Sequence, residues 1–172
     1  MKRIFAATGL AGLFVLTGAS IVGKRSAKQA SATLHADEGA TCSLATVAGK
    51  YGFTLTGTLL LPTGPVPGGA VGIVTLDAQG HVSGTEARNV GGSFANETFT
   101  GTETLSPNCT ATSTLKFFES GQLVRTSVIT LVWDDNLNAF RFVQQSLTVP
   151  DGTNVPVVVT GEGRKITPNS DH

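Results

Sequence analysis

Charge is scarce in this chain. Of 172 residues, Asp, Glu, Lys and Arg together make up 14%, and 12 basic residues against 12 acidic ones leave a formal net charge of zero. That balance excludes a basic nucleic-acid-binding protein and an acidic disordered tail. Aromatics are also few, at 6%, with one Trp and one Tyr. Without positive charge beside them they form no stacking platform for single-stranded nucleic acid. Histidine occurs three times, as His35, His81 and His172, and none has an i+2 or i+4 partner for a metal pair. A Ser-His-Asp relay would rest on His81 alone, and no nucleophile-elbow motif accompanies it. Glu and Lys number only six each, whereas Gly numbers 21 and Thr 24. Low charge with much Gly and Thr argues against a helical bundle, and an all-β chain is favoured.

The longest apolar run stands at the start. Met1-Lys2-Arg3 precedes the apolar stretch Ile4 to Leu16 and the small residues Thr17, Gly18, Ala19 and Ser20. This basic, apolar, small order is that of a secretory signal, and it predicts export to a periplasm or the medium. Cleavage fits either after Ala19 or after Ala32, so residues 1–32 form the signal and a short linker. The alternative is an uncleaved anchor, since Ile4 to Gly23 is about long enough to cross a bilayer. Removing residues 1–32 takes away five basic residues and no acid, which leaves 7 against 12 and a net of −5; cutting after Ala19 leaves −2. The exported domain is mildly acidic, which further disfavours anionic partners. Gly18 to Lys24 has the spacing of a phosphate-binding loop, but Arg25 stands where the metal-binding hydroxyl belongs.

Two cysteines follow, Cys42 and Cys109. An even count in an exported chain predicts a disulfide between them, and neither a redox spacing nor zinc-ligand neighbours accompany them. Cys42 lies in a lead-in, residues 33–48. From there to residue 166 the chain reads as eight β runs, with 167–172 as a loose tail. Tyr51, Phe53, Leu55, Gly57, Leu59 and Leu61 share one face and Gly52, Thr54, Thr56 and Thr58 the other, a period of two. Pro62 to Gly69 is expected as a Pro/Gly loop before a second strand, Ala70 to Leu76. Further strands are expected over His81–Val90, Ser93–Leu105, Cys109–Phe117, Gln122–Trp133, Ala139–Val149 and Val155–Ile166. Short turns between eight strands predict a single antiparallel up-and-down barrel, closed so that no edge is exposed. The alternative is a two-sheet sandwich. Small residues on the inward faces, Gly57, Ala111 and Ser113, would leave room inside for one small ligand. Outward Thr and Lys on the first and fifth strands argue against an outer-membrane barrel, so no stable membrane insertion is expected once the signal is removed.

Other constellations point to ordinary structure. Glu97 and Glu103 share a strand face six residues apart, roughly 20 Å, too far for a glycosidase-type pair, and are expected on a solvated face. Asp134 to Asn138 begins like a calcium loop, but Ala139 replaces its turn Gly and Gln145 its bidentate Glu. No catalytic residue, metal or cofactor is therefore assigned. Phe117, Phe118, Phe140 and Phe142 are core candidates.

Cys42-Ser43-Leu44-Ala45-Thr46-Val47-Ala48-Gly49-Lys50-Tyr51-Gly52-Phe53 resembles the C-S-x-A-x-L-x-G-x-Y-G-F opening of a group of exported bacterial proteins of unknown function. Val74 to Gly84, Phe99 to Thr102 and Asn108-Cys109-Thr110 are similar to later segments of that group. The resemblance runs from Cys42 to Leu115 and matches both cysteines, with departures at Leu76, His81 and Asn108. It implies no reaction. A weaker resemblance is to the lipocalin-like calycins, which open on Gly-x-Trp and pack a late Arg over that ring. Gly49-Lys50-Tyr51 and Arg164 stand at comparable positions, implying a cation–π contact of Arg164 on Tyr51 at one barrel end. Three functions follow as expectations: a non-catalytic barrel holding a small apolar or amphipathic ligand, an envelope or secreted protein-interaction module, and, last, a hydrolase using paired carboxylates. No oligomeric state is implied.

Overall fold

The computed structural model describes residues 41–167. The expected signal or anchor segment and most of the expected tail lie outside the described residues. A four-residue helix α1 (Leu44–Val47) leads into eight strands: β1 (Gly49–Leu61), β2 (Gly64–Leu76), β3 (His81–Val90), β4 (Ser93–Leu105), β5 (Thr110–Glu119), β6 (Gln122–Asp134), β7 (Ala139–Thr148) and β8 (Val157–Lys165). Each strand pairs antiparallel with the next, and β1 pairs with β8 to close the barrel. Closure excludes the two-sheet sandwich and pairs every strand on both sides, so the sheet has no free edge.

Period-two patterning sets which side chains enter. On β5, Ala111, Ser113, Leu115 and Phe117 are buried while Thr112, Thr114 and Lys116 are exposed. Several inward positions are glycines, and rings from the neighbouring strand take the vacated space. Gly84 faces Phe99 across β3 and β4, and Gly163 faces Phe140 across β8 and β7; a Cβ at either glycine would stand 2.3 Å from that ring. The large residue on one strand needs the small one opposite, which keeps the interior around these rings at close-packed density.

The expected loop over Pro62 to Gly69 is instead strand from Gly64 onward. Gly57 to Leu61 pair with Gly64 to Gly68, leaving only Pro62 and Thr63 as the turn. The prolines are tolerated because of the side they face. Pro67 accepts from the Gly91 amide at 2.8 Å, so its missing N–H points the same way, past the end of β3 at Val90. Pro65 shares that orientation, and both sit where no ladder bond is lost.

One end of the barrel is stoppered. Ser43 caps α1, its Oγ accepting from the Thr46 amide at 3.3 Å while Thr46 Oγ1 accepts from the Ser43 amide at 3.0 Å. The helix drives Val47 into full burial, and the Tyr51 hydroxyl donates to its carbonyl at 2.6 Å. Cys42 and Cys109 are joined, with Cα atoms 5.2 Å apart, which ties the helix to the start of β5. From the opposite side, Asp135, Asn136 and Leu137 hold three successive left-handed backbone conformations, φ 51° to 65°, uncommon for residues with a Cβ. That turn tucks Leu137 into the core beside Tyr51, an apolar burial that offsets the backbone cost.

Candidate functional site

The interior is layered from the stopper to the open end. Beneath the stopper Tyr51, Trp133 and Phe140 meet edge to face, with centroids 5.1 to 5.8 Å apart. Glu103 is buried among them, accepting from Ser113 Oγ at 2.7 Å and from Trp133 Nε1 at 3.1 Å. Loss of water pushes the Glu103 carboxyl up, against the pull of those two donors. Burial and the nearby Glu103 charge together push the Tyr51 phenol up to about 12. The void left in this layer is only about 40 Å³. Next comes a second aromatic layer, in which Phe99 packs on Phe53 at 6.0 Å and on Phe117 at 5.2 Å.

Above it lies a layer of charge. Glu86 on β3 and Glu97 on β4 stand directly opposite each other, both inward and buried. Arg125, from β6, bridges them: Nη1 donates to Glu97 Oε2, and Nη2 donates to Glu86 Oε1 at 2.6 Å. Its guanidinium also lies 3.8 Å over the Phe117 ring. Arg88 donates from Nε to the other Glu97 oxygen and from Nη2 to Glu119 at 3.3 Å. Planar guanidinium forks satisfy both Glu97 oxygens. Glu86 is less fully served. Its side chain is 1% exposed, yet Oε2 has no hydrogen-bond partner among the described residues. Desolvation raises its carboxyl, partly offset by Arg125 and reinforced by Glu97.

Over this polar floor, Leu55, Leu59, Leu61, Val90, Val155 and Val159 wall a cavity of about 270 Å³ that continues to the open end. Ser127 and Gln144, hydrogen-bonded to each other at 3.1 Å, add neutral polar groups to it. The volume falls just under the roughly 300–1,000 Å³ typical of small-molecule sites. Gly57 lines this cavity as its size suggests. Ala111 and Ser113 do not: they sit in the stoppered half, where Trp133 and its neighbours fill the space.

Two further expectations are corrected. Glu97 and Glu103 are not on a solvated face but are both core residues, because the face they share is the inward one. Arg164 does not cap Tyr51. It lies on the outward parity of β8, with its side chain 78% exposed and Nη1 donating to Asp135 at 3.0 Å. Lys165, one residue on and therefore inward, places Nζ 5.7 Å over the Tyr51 ring. His81 is exposed beside the turn, its Nδ1 2.8 Å from Asp77. Phe117 and Phe140 are core residues, Phe142 packs against that core, and Phe118 is half-buried on the outward face. The charged layer went unread because Glu86, Arg88 and Arg125 are spread over two strands. Their common signal is a charged residue at an inward parity, which the strand pattern makes visible once registers are known.

A closed eight-stranded up-and-down barrel, stoppered at one end and hollow at the other, is the class these features define. Neither a family model nor a curated protein matches the chain. Among solved structures it is similar to EF1p2_mFAP2b bound to DFHBI, with TM-score 0.51 and 9% identity, covering 73% of this chain and 100% of that one. A redesigned beta barrel, mFAP1, also bound to DFHBI, aligns with TM-score 0.47 and 14% identity over 72% of this chain and 98% of that one. At such identities the likeness concerns the fold.

Proposed function

We propose that this chain is an exported, non-catalytic barrel that holds a small amphipathic molecule in its open half. The observation that carries the reading is the cavity itself, about 270 Å³, with apolar walls over a charged floor. Apolar walls supply affinity, and a few placed polar groups orient the guest. The similar barrel EF1p2_mFAP2b, bound to DFHBI, gives the same architecture a precedent for holding a small molecule. Export is supported by the basic, apolar and small order of residues 1–20 and by the Cys42–Cys109 bond, which suits an oxidising compartment. The likeness to exported bacterial proteins of unknown function agrees with it.

The protein-interaction reading has less behind it. The closed sheet offers no edge, and the exposed large apolar residues, such as Leu60, Val71, Phe94, Val143 and Val158, are spread over different strands. The hydrolase reading stands last, because both Glu97 oxygens are occupied by guanidinium groups. The test is to fill the cavity. Ala70 lines it, and Ala70→Phe is expected to cut binding of an apolar fluorescent dye at least tenfold while the far-UV spectrum stays that of a β protein. Dye affinity unchanged by that substitution, or no binding by the parent chain, sinks the reading.

A further inference from the structure

The charged floor is more selective than an amphipathic guest requires. The ion-pair network contains three carboxylates, Glu86, Glu97 and Glu119, and two guanidinium groups, Arg88 and Arg125. With every member ionised it is one negative charge in excess. The guanidinium groups already direct Nε and Nη2 of Arg88, and Nη1 and Nη2 of Arg125, at carboxylates. Glu97 has both oxygens engaged, and Glu119 lies half-exposed at the rim. The only buried side-chain oxygen or nitrogen without a partner among the described residues is Glu86 Oε2, on a residue that lines the cavity. An incoming anion would meet a network already one negative charge in excess, with only the N–H groups its carboxylates leave over, such as those of Arg88 Nη1, to receive it. An incoming N–H⁺ that displaces the groups shielding Oε2 would meet an unpartnered acceptor and a compensating charge.

Resting on the ligand-binding reading above, we infer that the guest carries a protonated amine, which donates to Glu86 Oε2, and an apolar body that lies along the wall of Leu55, Leu59 and Val159. The cavity limits that body to about the size of a short alkyl chain or a single ring, since a pocket of roughly 150 Å³ already holds benzene. Glu86 faces Arg125 from β6 and Glu97 from β4, with Arg88 beside it on β3. Desolvation favours the protonated carboxyl in the empty barrel; an ammonium group placed on Oε2 favours the carboxylate. Wherever Glu86 holds its proton in the empty barrel, amine binding therefore releases that proton to solvent, and an uncharged guest of the same length releases none.

The experiment is calorimetric titration of the full chain with n-hexylamine, 1-hexanol and hexanoate, compared at pH 6 to 7 where hexanoate is ionised, with the amine followed down to pH 4 as well, each in two buffers of different ionisation enthalpy. The amine is expected to bind about 10- to 100-fold tighter than the alcohol, the range of a charge-assisted hydrogen bond in an apolar surround. Hexanoate is expected to be weakest, and only the amine to show proton release. Glu86→Gln is expected to abolish the amine's advantage over hexanol. Should that variant fail to fold, the proton count on the unaltered chain decides the matter. Hexanoate binding tightest, equal binding of all three, or amine binding without proton release overturns the amine inference and leaves the ligand-binding barrel standing. If none of the three binds and the dye does not either, the ligand-binding reading falls with it.

Discussion

In the stoppered half Glu103 is buried against neutral donors, Ser113 and Trp133, whereas in the hollow half Glu86 and Glu97 are buried against guanidinium groups. The two halves share one sheet and one pleat, so the difference lies in what the inward positions carry. Aromatic rings and matched glycines fill the stoppered half, and a carboxyl there is held by two neutral donors that favour its ionised form against the loss of water. In the hollow half, rings give way to aliphatic walls, space opens, and charges are kept in place by one another. A buried ion network is a poor way to gain stability, because desolvation offsets most of the attraction. Its presence beside a cavity, and its absence from the solid half, associates the network with the cavity and the aromatic cluster with holding the barrel shut.

Breaking the network gives the largest expected effect. Arg125→Met removes the partner of Glu86 and one partner of Glu97 together, leaving two carboxylates facing each other across β3 and β4. Urea unfolding at pH 7 is expected to show a loss of roughly 3–5 kcal/mol, the usual consequence of stranding buried charge. At pH 4, where Glu86, its carboxyl raised by desolvation, can take up a proton, the loss should shrink. A cost independent of pH would mean that Arg125 acts by packing on Phe117 instead. Opening the stopper is expected to come next. Cys42→Ala with Cys109→Ala releases a link across a sequence separation of 67, for which about 2–4 kcal/mol is typical, and it also frees α1 from the barrel end. Because the cavity lies at the other end, guest affinity should be preserved in whatever fraction remains folded.

Glu103 sharpens the comparison through pH. Its folded-state value is raised above the ordinary 4.5, so the folded chain binds the proton more tightly than the unfolded one. Stability from that group is fully present below about 4.5 and is lost as pH rises through the raised folded value. Glu103→Gln keeps an acceptor for Trp133 and an amide that donates to Ser113. It is expected to match the parent in acid and to exceed it at pH 8, measured as the denaturation midpoint. Glu103→Leu leaves both donors without an acceptor and is expected to cost about 1–3 kcal/mol at either pH. A difference between Glu103→Gln and the parent that stays flat from pH 4 to pH 8 would contradict the raised carboxyl at this end.

Much of this architecture was legible in residue order, for a physical reason. A closed barrel with short turns makes each strand solve the same local problem, one face in and one face out, so β1 and β5 announce themselves without knowledge of their neighbours. The β2 boundary did not, because whether Pro65 and Pro67 break a strand depends on where β3 ends. The cavity was anticipated from small inward residues, yet Gly57 opens space while Ala111 and Ser113 do not. The difference is set by rings arriving from other strands, such as Trp133 on β6, and cross-strand volume is not written in any one strand. The charged layer was hidden for the same cause. Glu97 on its own strand reads as a polar residue on either face, and only Arg88 on β3 and Arg125, 28 positions away on β6, offset its burial.

The smallest effect tests parity itself. The calycin resemblance places a cation over Tyr51, and the geometry supplies one from Lys165 rather than from Arg164. The two are adjacent on β8, so they face opposite sides of the sheet. Lys165→Ala is expected to cost about 0.5–1 kcal/mol, for the cation–π contact and the methylene stem that crosses the stoppered end at Gly49. Arg164→Ala breaks only an exposed pair with Asp135 and is expected to stay within about 0.5 kcal/mol of the parent. Unfolding midpoints of the two variants, compared at low and high salt, separate the cases. The Arg164 effect should vanish in salt, while that of Lys165 persists because part of it is packing on a buried ring. The reverse ranking would place Arg164 at the barrel end and shift the parity of β8 by one residue. That shift would also turn Gly163 away from Phe140, and the stopper as described would not close.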